Sequence, residues 1–316
     1  MSHKSRLLVI ALALSLVLAA CAGEQPAGPG PFTTDTGALE FTDDLGRTIT
    51  LEQTPERIVT LGPSILESLF AIGAGDQVVG REEFSTYPEE ALDVPSVGSL
   101  FGELPAEAIL ALEPDLVIAP EIISVEQVHA LEDLGLKVYW QANPDDFDGL
   151  FTNLLDLGEL TGHGFEAAQL VVSLQERVDA VLEKIAALDL ADYPLVFYEL
   201  DATDPENPYT AGMGTFVDTL ITLSGGRNLG AVLEGDYAQI SSEEIIDQNP
   251  DVIVLGDAPY GVTAESVAAR PGWEGIAAVQ NGQVLPFDPF LASVPGPRLV
   301  DGLETLAALL HPDLFE

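Results

Sequence analysis

One segment of this 316-residue chain keeps helical spacing for much longer than any other. Between Phe165 and Leu190 apolar residues recur every three or four positions, and the segment contains neither proline nor glycine. This spacing predicts a helix of about seven turns. Because short strand-like and helix-like segments alternate on both sides of it, we expect the helix, with bounds 164–190, to join two separate lobes.

Short apolar segments on both sides of the long helix are typical of buried strands. They alternate with helical patterns, which predicts parallel sheets covered on both faces and an α/β fold with two Rossmann-like lobes. The predicted strands are 57–61, 77–80, 115–119, 137–141, 194–200, 251–255 and 283–287, after a hairpin in 38–52. The predicted helices are one within 60–75, then 105–112, 124–134, 146–160, 215–224, 242–248 and 298–310.

An internal repeat supports two related lobes. The segment "EAILALEPDLVIA" from Glu107 aligns without gaps with "EEIIDQNPDVIVL" from Glu243. In both, a helix runs into a proline, which ends it, and an aspartate leads directly into an apolar strand. Two α/β units can also resemble each other by chance, but the matched Pro-Asp pair favours a common origin.

The first residues are typical of an export signal. A basic start with Lys4 and Arg6 precedes an apolar run from Leu7 to Ala20 that is shorter than the ~20 residues of a membrane span. The run ends in "LAAC", which resembles a bacterial lipobox, so we predict a signal peptide over 1–20 and lipid attachment at Cys21. A signal cleaved elsewhere, with an incidental cysteine, is the alternative. Residues 21–38 are rich in Gly, Pro and Thr and predict a flexible tether.

The charge of the chain restricts its partners. It carries 52 acidic residues against 11 basic ones, a formal charge of −41, and loss of Lys4 and Arg6 with the signal makes it still more negative. Nucleic acid and anionic lipid surfaces are therefore disfavoured as partners. A cationic or metal-bearing ligand is compatible with this charge, and so is an acidic surface adapted to salty or acidic surroundings.

No catalytic pattern is present in the sequence. It contains no GxSxG, HExxH or P-loop motif, and "GAGDQVVG" at 73–80 lies between a helix and a strand, the reverse of the dinucleotide-binding order. After the signal only His129, His163 and His311 remain, too far apart in sequence to suggest a metal site. We expect neither an enzyme nor a bound cofactor or metal.

Five segments, in the same order, resemble the cobalamin- and iron-siderophore-type binding proteins of ABC importers. They are "RIVTLGPSILESLFAIGAGDQVVG", "EPDLVIA", "PYTAGMGTFVDTLITLSGGRNLG", "QISSEEIIDQNPDVIVL" and "RPGWEGIAAVQNGQVLPFDP". The resemblance extends over about residues 39–316. It implies lobes at 39–163 and 191–316, joined by the long helix, with ligand bound between them and only small closure.

The same resemblance implies partners. A monomeric, membrane-tethered receptor would deliver a corrinoid or a ferric siderophore to an ABC permease with its ATPase. Haem binding and ligand sensing without transport are alternatives. One exposed glutamate in each lobe is expected to meet permease arginines: Glu67 in "SILESLF" and Glu243 in "SSEEII", with Glu244 as the alternative to Glu243. At 100° per residue, Glu67 falls opposite the apolar face of its helix, which predicts an exposed carboxylate.

Candidate ligand contacts lie where the predicted strands end, because open α/β sheets bind ligands outside the carboxyl ends of their strands. Arg81 and Arg298 could hold an anionic group, although Arg298 could equally begin the last helix. Aromatic rings at or near these ends could stack on a flat macrocycle or a chelate, or could instead pack in the core. These aromatic candidates are Phe84, Tyr87, Tyr198, Tyr237, Tyr260 and Phe290.

Overall fold

The computed structural model of the chain describes residues 38–102 and 104–315. These residues form two α/β lobes, each built on its own parallel sheet, and one long helix lies between the lobes in sequence. The predicted signal peptide, Cys21 and the tether up to residue 37 lie outside the described residues.

The first lobe is an α/β layer structure preceded by a hairpin. Its strands are β1 (Leu39–Thr42), β2 (Thr48–Leu51), β3 (Ile58–Thr60), β4 (Val78–Glu82), β5 (Ser96–Gly98), β6 (Leu116–Pro120) and β7 (Val138–Gln141). Its helices are α1 (Pro63–Ala71), α2 (Ala106–Ala111), α3 (Val125–Asp133) and α4 (Phe147–Thr161). The last five strands form a parallel sheet in the order β5-β4-β3-β6-β7. Every residue of β3, β6 and β7 is buried, as expected for a sheet covered on both faces.

The second lobe repeats this plan with a smaller sheet. Its strands are β8 (Leu195–Glu199), β9 (Tyr209–Ala211), β10 (Arg227–Asn228), β11 (Tyr237–Gln239), β12 (Val252–Leu255) and β13 (Val284–Pro286). The parallel sheet has the order β10-β8-β12-β13, and β9 pairs with β11 in a separate antiparallel ladder. The helices after the long one, which is α5 (Gly164–Ile185), are α6 (Phe216–Leu223), α7 (Ser242–Gln248), α8 (Ala264–Ala268), α9 (Ala277–Gln280), α10 (Phe290–Ser293) and α11 (Leu299–Leu310).

Helix α5 connects the two lobes by packing against α4 of the first and α11 of the second. Its buried stripe continues the core of both lobes, and its Arg177 donates hydrogen bonds to Glu304 and Asp301 of α11. The helix ends at Ile185, short of the expected residue 190. The backbone there tightens to bonds between residues three apart, and Leu188 packs against the core from this turn.

The internal repeat has the same backbone geometry in both lobes. The residue before each proline lies in the left-handed region, with φ of 46° at Glu113 and 51° at Asn249, and this conformation ends α2 and α7 respectively. The aspartate after each proline then joins two strands at their starts. Asp115 accepts the backbone N–H of Arg57 at 3.1 Å, and Asp251 accepts that of Leu195 at 2.8 Å. The Pro-Asp pair is therefore the same strand clamp in each lobe.

Candidate functional site

The carboxyl ends of the two parallel sheets face each other. Helices α1 and α4 leave the carboxyl ends of β3 and β7, and both contact the second lobe. Phe147, the first residue of α4, packs edge-to-face on Phe216, the first residue of α6, with ring centroids 5.4 Å apart. Glu67 of α1 binds Arg298 at the start of α11. The strand ends of both lobes therefore border one cleft.

The Glu67 carboxylate lies between the lobes, and the prediction that it is exposed is wrong. Glu67 is only 2% exposed. One carboxylate oxygen accepts the backbone N–H of Arg298 at 3.0 Å, and the other accepts Nε of the same residue at 2.7 Å. Burial raises the pKa of Glu67, and the bonds from Arg298 oppose that rise. The second lobe covers the polar face of α1, and the helical period alone does not reveal such a cover.

The two arginines predicted to hold an anionic ligand are engaged within the protein. Arg298 binds Glu67, and its guanidinium carbon lies 3.8 Å from the ring centroid of Tyr87. Arg81 donates to the carbonyl oxygens of Ala91 at 3.0 Å and of Glu83 at 3.2 Å, which holds the loop after β4. Both side chains therefore stabilise the walls of the cleft.

Every arginine in residues 38–102 and 104–315 is likewise engaged within the protein. Each donates side-chain hydrogen bonds to carboxylates or carbonyls of the protein: Arg47, Arg57, Arg81, Arg177, Arg227, Arg270 and Arg298. Lys184 lies over the ring of Phe315. Lys137 comes just before β7, so it lies at the amino ends of the strands and not at their carboxyl ends. Within the described residues, no uncommitted arginine borders the cleft.

Five of the six aromatic residues predicted to contact the ligand remain exposed. Phe84, Tyr87, Tyr237, Tyr260 and Phe290 all keep large exposed fractions.

Tyr198 is the exception, because it is only 1% exposed. It packs edge-to-face on Phe287 and against the backbone of Gly256. Its predicted place among the ligand contacts is therefore wrong: β8 is covered on both faces, so this ring belongs to the core.

Phe101 is a cleft residue that the sequence analysis missed. It is 79% exposed and meets Phe84 edge-to-face, with ring centroids 5.6 Å apart. It follows β5, a strand of three residues with one buried side chain, which is too short for periodicity to reveal. Together Phe84 and Phe101 place an exposed aromatic pair on the first-lobe side of the cleft.

The second-lobe side of the cleft is acidic. Glu199, the last residue of β8, is fully buried and accepts both terminal guanidinium nitrogens of Arg270, one of them at 2.8 Å. Asp201 and Asp257 follow the ends of β8 and β12 and line a cavity beside Tyr260. The sequence analysis singled out Tyr260 beyond the predicted strand 251–255 but not Asp257, since an isolated aspartate in an acidic chain gives no signal.

The second proposed docking residue lies on an exposed helix end. Glu243 and Glu244 both belong to the first turn of α7, which Ser241 caps by accepting the backbone N–H of Glu244 at 3.2 Å. Both glutamates are exposed. Glu244 accepts the amide of Gln248 at 2.8 Å, whereas no such bond engages the Glu243 side chain among the described residues.

Two further properties concern only the part of the chain that the structure describes. Its histidines and acids include no group of three or more that could hold a metal ion. None of its helices combines the length and apolar character that crossing a membrane requires.

Two α/β lobes bridged by one helix, with the strand ends of both lobes bordering one cleft, are the architecture of a solute-binding protein. Residues 58–289 match the sequence model of the periplasmic binding protein family, and the chain belongs to this family. This match confirms the resemblance and the fold class predicted from the sequence. Proteins of this family bind small ligands and work with a permease and an ATPase; they are transport receptors and not enzymes.

Individual relatives cover nearly the whole chain. A Bacillus subtilis ABC transporter substrate-binding lipoprotein, YvrC, is 32% identical over 96% of both chains. A cobalamin-binding protein of Halobacterium salinarum is 30% identical over 98% of this chain and 85% of its own. Among solved structures, the periplasmic vitamin B12 binding protein BtuF of Vibrio cholerae superposes with a TM-score of 0.69 and 26% identity, over 82% of this chain and 98% of that one.

Proposed function

We propose that this protein is the lipid-tethered receptor of an ABC importer and that its ligand is a corrinoid. The lipidated Cys21 would hold it at the outer face of the cytoplasmic membrane, as the lipoprotein relative suggests. The cleft would bind the ligand and present it to the permease. The observation that carries the ligand assignment is the electrostatic character of the cleft.

Anionic ligands require a cation at the binding site. Ferric catecholates and haem propionates are typically held by arginine or lysine. In the described residues every arginine is already engaged within the protein, and the second-lobe side of the cleft carries carboxylates. A corrinoid suits this cleft better, because its macrocycle is flat, most of its peripheral arms are neutral carboxamides, and the cobalt–corrin centre balances the charge of its single phosphodiester. The rings of Phe84 and Phe101 supply an apolar surface for such a macrocycle.

Calorimetric titration of the purified protein tests the ligand assignment. We expect cyanocobalamin to bind at least roughly a hundredfold more tightly than haem or an anionic ferric catecholate, since each uncompensated charge costs about one to two decades in affinity. Tight binding of haem or of the ferric catecholate, with weak binding of cyanocobalamin, would overturn the corrinoid assignment while leaving the receptor function in place.

A pair of variants tests whether the aromatic surface of the first lobe meets the ligand. Phe101→Ala is expected to weaken cyanocobalamin binding about tenfold or more, as loss of a buried aromatic contact typically does. Phe165→Ala is the matched control, because Phe165 is similarly exposed but lies on α5 and follows no strand end. Equal affinities for the two variants would place the ligand elsewhere.

Docking to the permease is proposed to depend mainly on Glu243. Its carboxylate is exposed on a capped helix, as contact with a permease arginine requires. Glu67 could make an equivalent contact only if the lobes part, because Arg298 covers it in this conformation. We expect Glu243→Arg to abolish cobalamin uptake in cells without changing ligand affinity, and Glu244→Arg to have a smaller effect. Uptake that survives Glu243→Arg would contradict the docking role.

A further inference from the structure

A cavity of about 480 Å³ opens at the carboxyl ends of β8 and β12. Its walls include Asp201 and Thr203 from the segment after β8, and Asp257 and Tyr260 from the segment after β12. Tyr260 is highly exposed and Asp257 is almost fully buried, so the cavity has an exposed rim and a buried wall.

Asp257 brings a buried carboxylate oxygen to this cavity without a partner. The residue is 4% exposed. Its Oδ2 accepts the backbone N–H of Ala202 at 3.1 Å, but its buried Oδ1 has no hydrogen-bond partner among the described residues. A buried acceptor left unpaired destabilises the fold, so such an atom is normally satisfied by a donor that arrives from outside the chain.

The charged groups around Asp257 do not neutralise it. The nearest cation, Arg270, is committed to both carboxylate oxygens of Glu199. Asp201 accepts the backbone N–H of Thr203 at 2.6 Å and adds a second carboxylate to the cavity wall. Two carboxylates are fewer than the protein ligands a closed metal site requires, so the complementary group is a hydrogen-bond donor, such as the N–H of a carboxamide.

We propose that this cavity is a subsite for an N–H-bearing arm of the ligand, with the Asp257 carboxylate as its acceptor. In a corrinoid the arm is a peripheral carboxamide, so this inference rests on the proposed function. The subsite sets specificity, because a ligand that carries a carboxylate on the same arm would place two acceptors in contact. Asp257 is thus a specificity-determining residue of the second lobe.

The protonation state of Asp257 gives the proposal a second testable consequence, which is a pH dependence of ligand binding. Burial raises the pKa of Asp257 to about 6, and the neighbouring Glu199 adds to the rise. Among the other groups nearby, Asp201 repels a second negative charge in the cavity, Arg270 is engaged by Glu199, and the Tyr198 hydroxyl stays protonated because burial raises its pKa. An ionised acceptor is therefore present above about pH 6 and is lost below it.

The test compares cyanocobalamin with its monocarboxylic acids, in which one peripheral amide has been hydrolysed. Calorimetry at pH 7.5 is carried out on the wild type, Asp257→Asn and Asp247→Asn. We expect the wild type to bind at least one monocarboxylic isomer about tenfold to a hundredfold more weakly than cyanocobalamin. In Asp257→Asn the amide can donate to that carboxylate, so the preference should vanish or reverse. Asp247→Asn, the control, should keep it, because Asp247 is exposed on α7 and does not line the cavity.

The outcomes separate this inference from the proposed function. Failure of cyanocobalamin to bind the wild type refutes the corrinoid assignment and, with it, the subsite. Tight binding with the same isomer preferences in the wild type and Asp257→Asn refutes the subsite alone. Support requires a change confined to one isomer, together with wild-type affinity for cyanocobalamin that falls several-fold from pH 7.5 to pH 5 and stays constant in Asp257→Asn.

Discussion

Replacing Arg298 by methionine measures how strongly the two lobes are held together by the buried pair between Glu67 and Arg298. Methionine keeps much of the length and apolar character of arginine but removes both side-chain charge and hydrogen bonding. It leaves Glu67, which is 2% exposed, without the one cationic partner that it has among the described residues. Breaking a buried pair by removing one partner costs about 3–5 kcal/mol, because an uncompensated charge stays buried. We expect Arg298→Met to lower the free energy of unfolding by that amount at pH 7.5.

The sign of the pH dependence follows from the pKa of Glu67. Burial already raises this pKa above its ordinary value of 4.5, although Arg298 opposes the rise. Without Arg298 the pKa rises further, and each unit corresponds to about 1.4 kcal/mol. An acid whose folded pKa exceeds the unfolded one stabilises the fold below the unfolded pKa, and this contribution is lost as pH rises. The penalty of Arg298→Met should therefore be largest at pH 7.5 and smallest near pH 4.5.

Urea unfolding of the full-length protein, followed by circular dichroism at both pH values, checks this reasoning. The matched variant is Glu67→Met with Arg298→Met. Replacing a buried pair by apolar residues of similar volume is often neutral or stabilising, so the double variant should lie within about 1 kcal/mol of the wild type. A penalty for Arg298→Met below about 1 kcal/mol at pH 7.5, or one equal at both pH values, would refute the buried-charge argument.

Two more predictions concern stability. In α4, Gly158→Ala should cost about 1–3 kcal/mol because the added methyl overlaps Ala167 of α5, whereas Gly164→Ala, with open space around it, should be neutral or slightly stabilising in thermal unfolding. Burial raises the pKa of Asp257 from 3.8 to about 6, so its ionised form destabilises the fold above that pH. Asp257→Asn should therefore raise the free energy of unfolding by about 1–3 kcal/mol at pH 7.5 but not near pH 4, and Asp201→Asn, which is exposed, should not.

Much of the fold follows from local patterns in the sequence. Helices such as α4 and α6 lie within about two residues of their predicted bounds, because apolar spacing and capping residues act over a single turn. The strands β5, β9, β10 and β11 were not predicted. They contain two or three residues each, with at least one exposed residue in every strand, so hydrogen bonding to a neighbouring strand defines them and not their own composition.

The site was harder to predict, because it depends on what covers each side chain. The helical period places Glu67 opposite the apolar face of α1 but carries no information about Arg298, which is 231 positions away. For Tyr198, strand position suggested the cleft, whereas the layers on both faces of the second sheet enclose the ring. Phe101 and Asp257 lie in loops that follow strands, where no hydrophobic period indicates whether a side chain is buried. Tertiary contacts therefore determine the burial and the partners of all four residues.

The acidic residues of the chain form two groups, exposed and buried, and the two groups carry different information about a ligand. Most of the 52 acidic residues give no information about a ligand, because a solvated carboxylate suits many surroundings. Buried carboxylates are more informative, because each needs a partner. Within the described residues, four buried acids have both oxygens hydrogen-bonded by the protein: Asp43, Glu67, Glu82 and Glu199. The fifth buried acid of the described residues, Asp257, keeps one unpaired oxygen, and it lines the cavity at the ends of β8 and β12. The surface charge therefore does not identify the ligand, whereas the Asp257 carboxylate is the acceptor that we propose for an arm of the ligand.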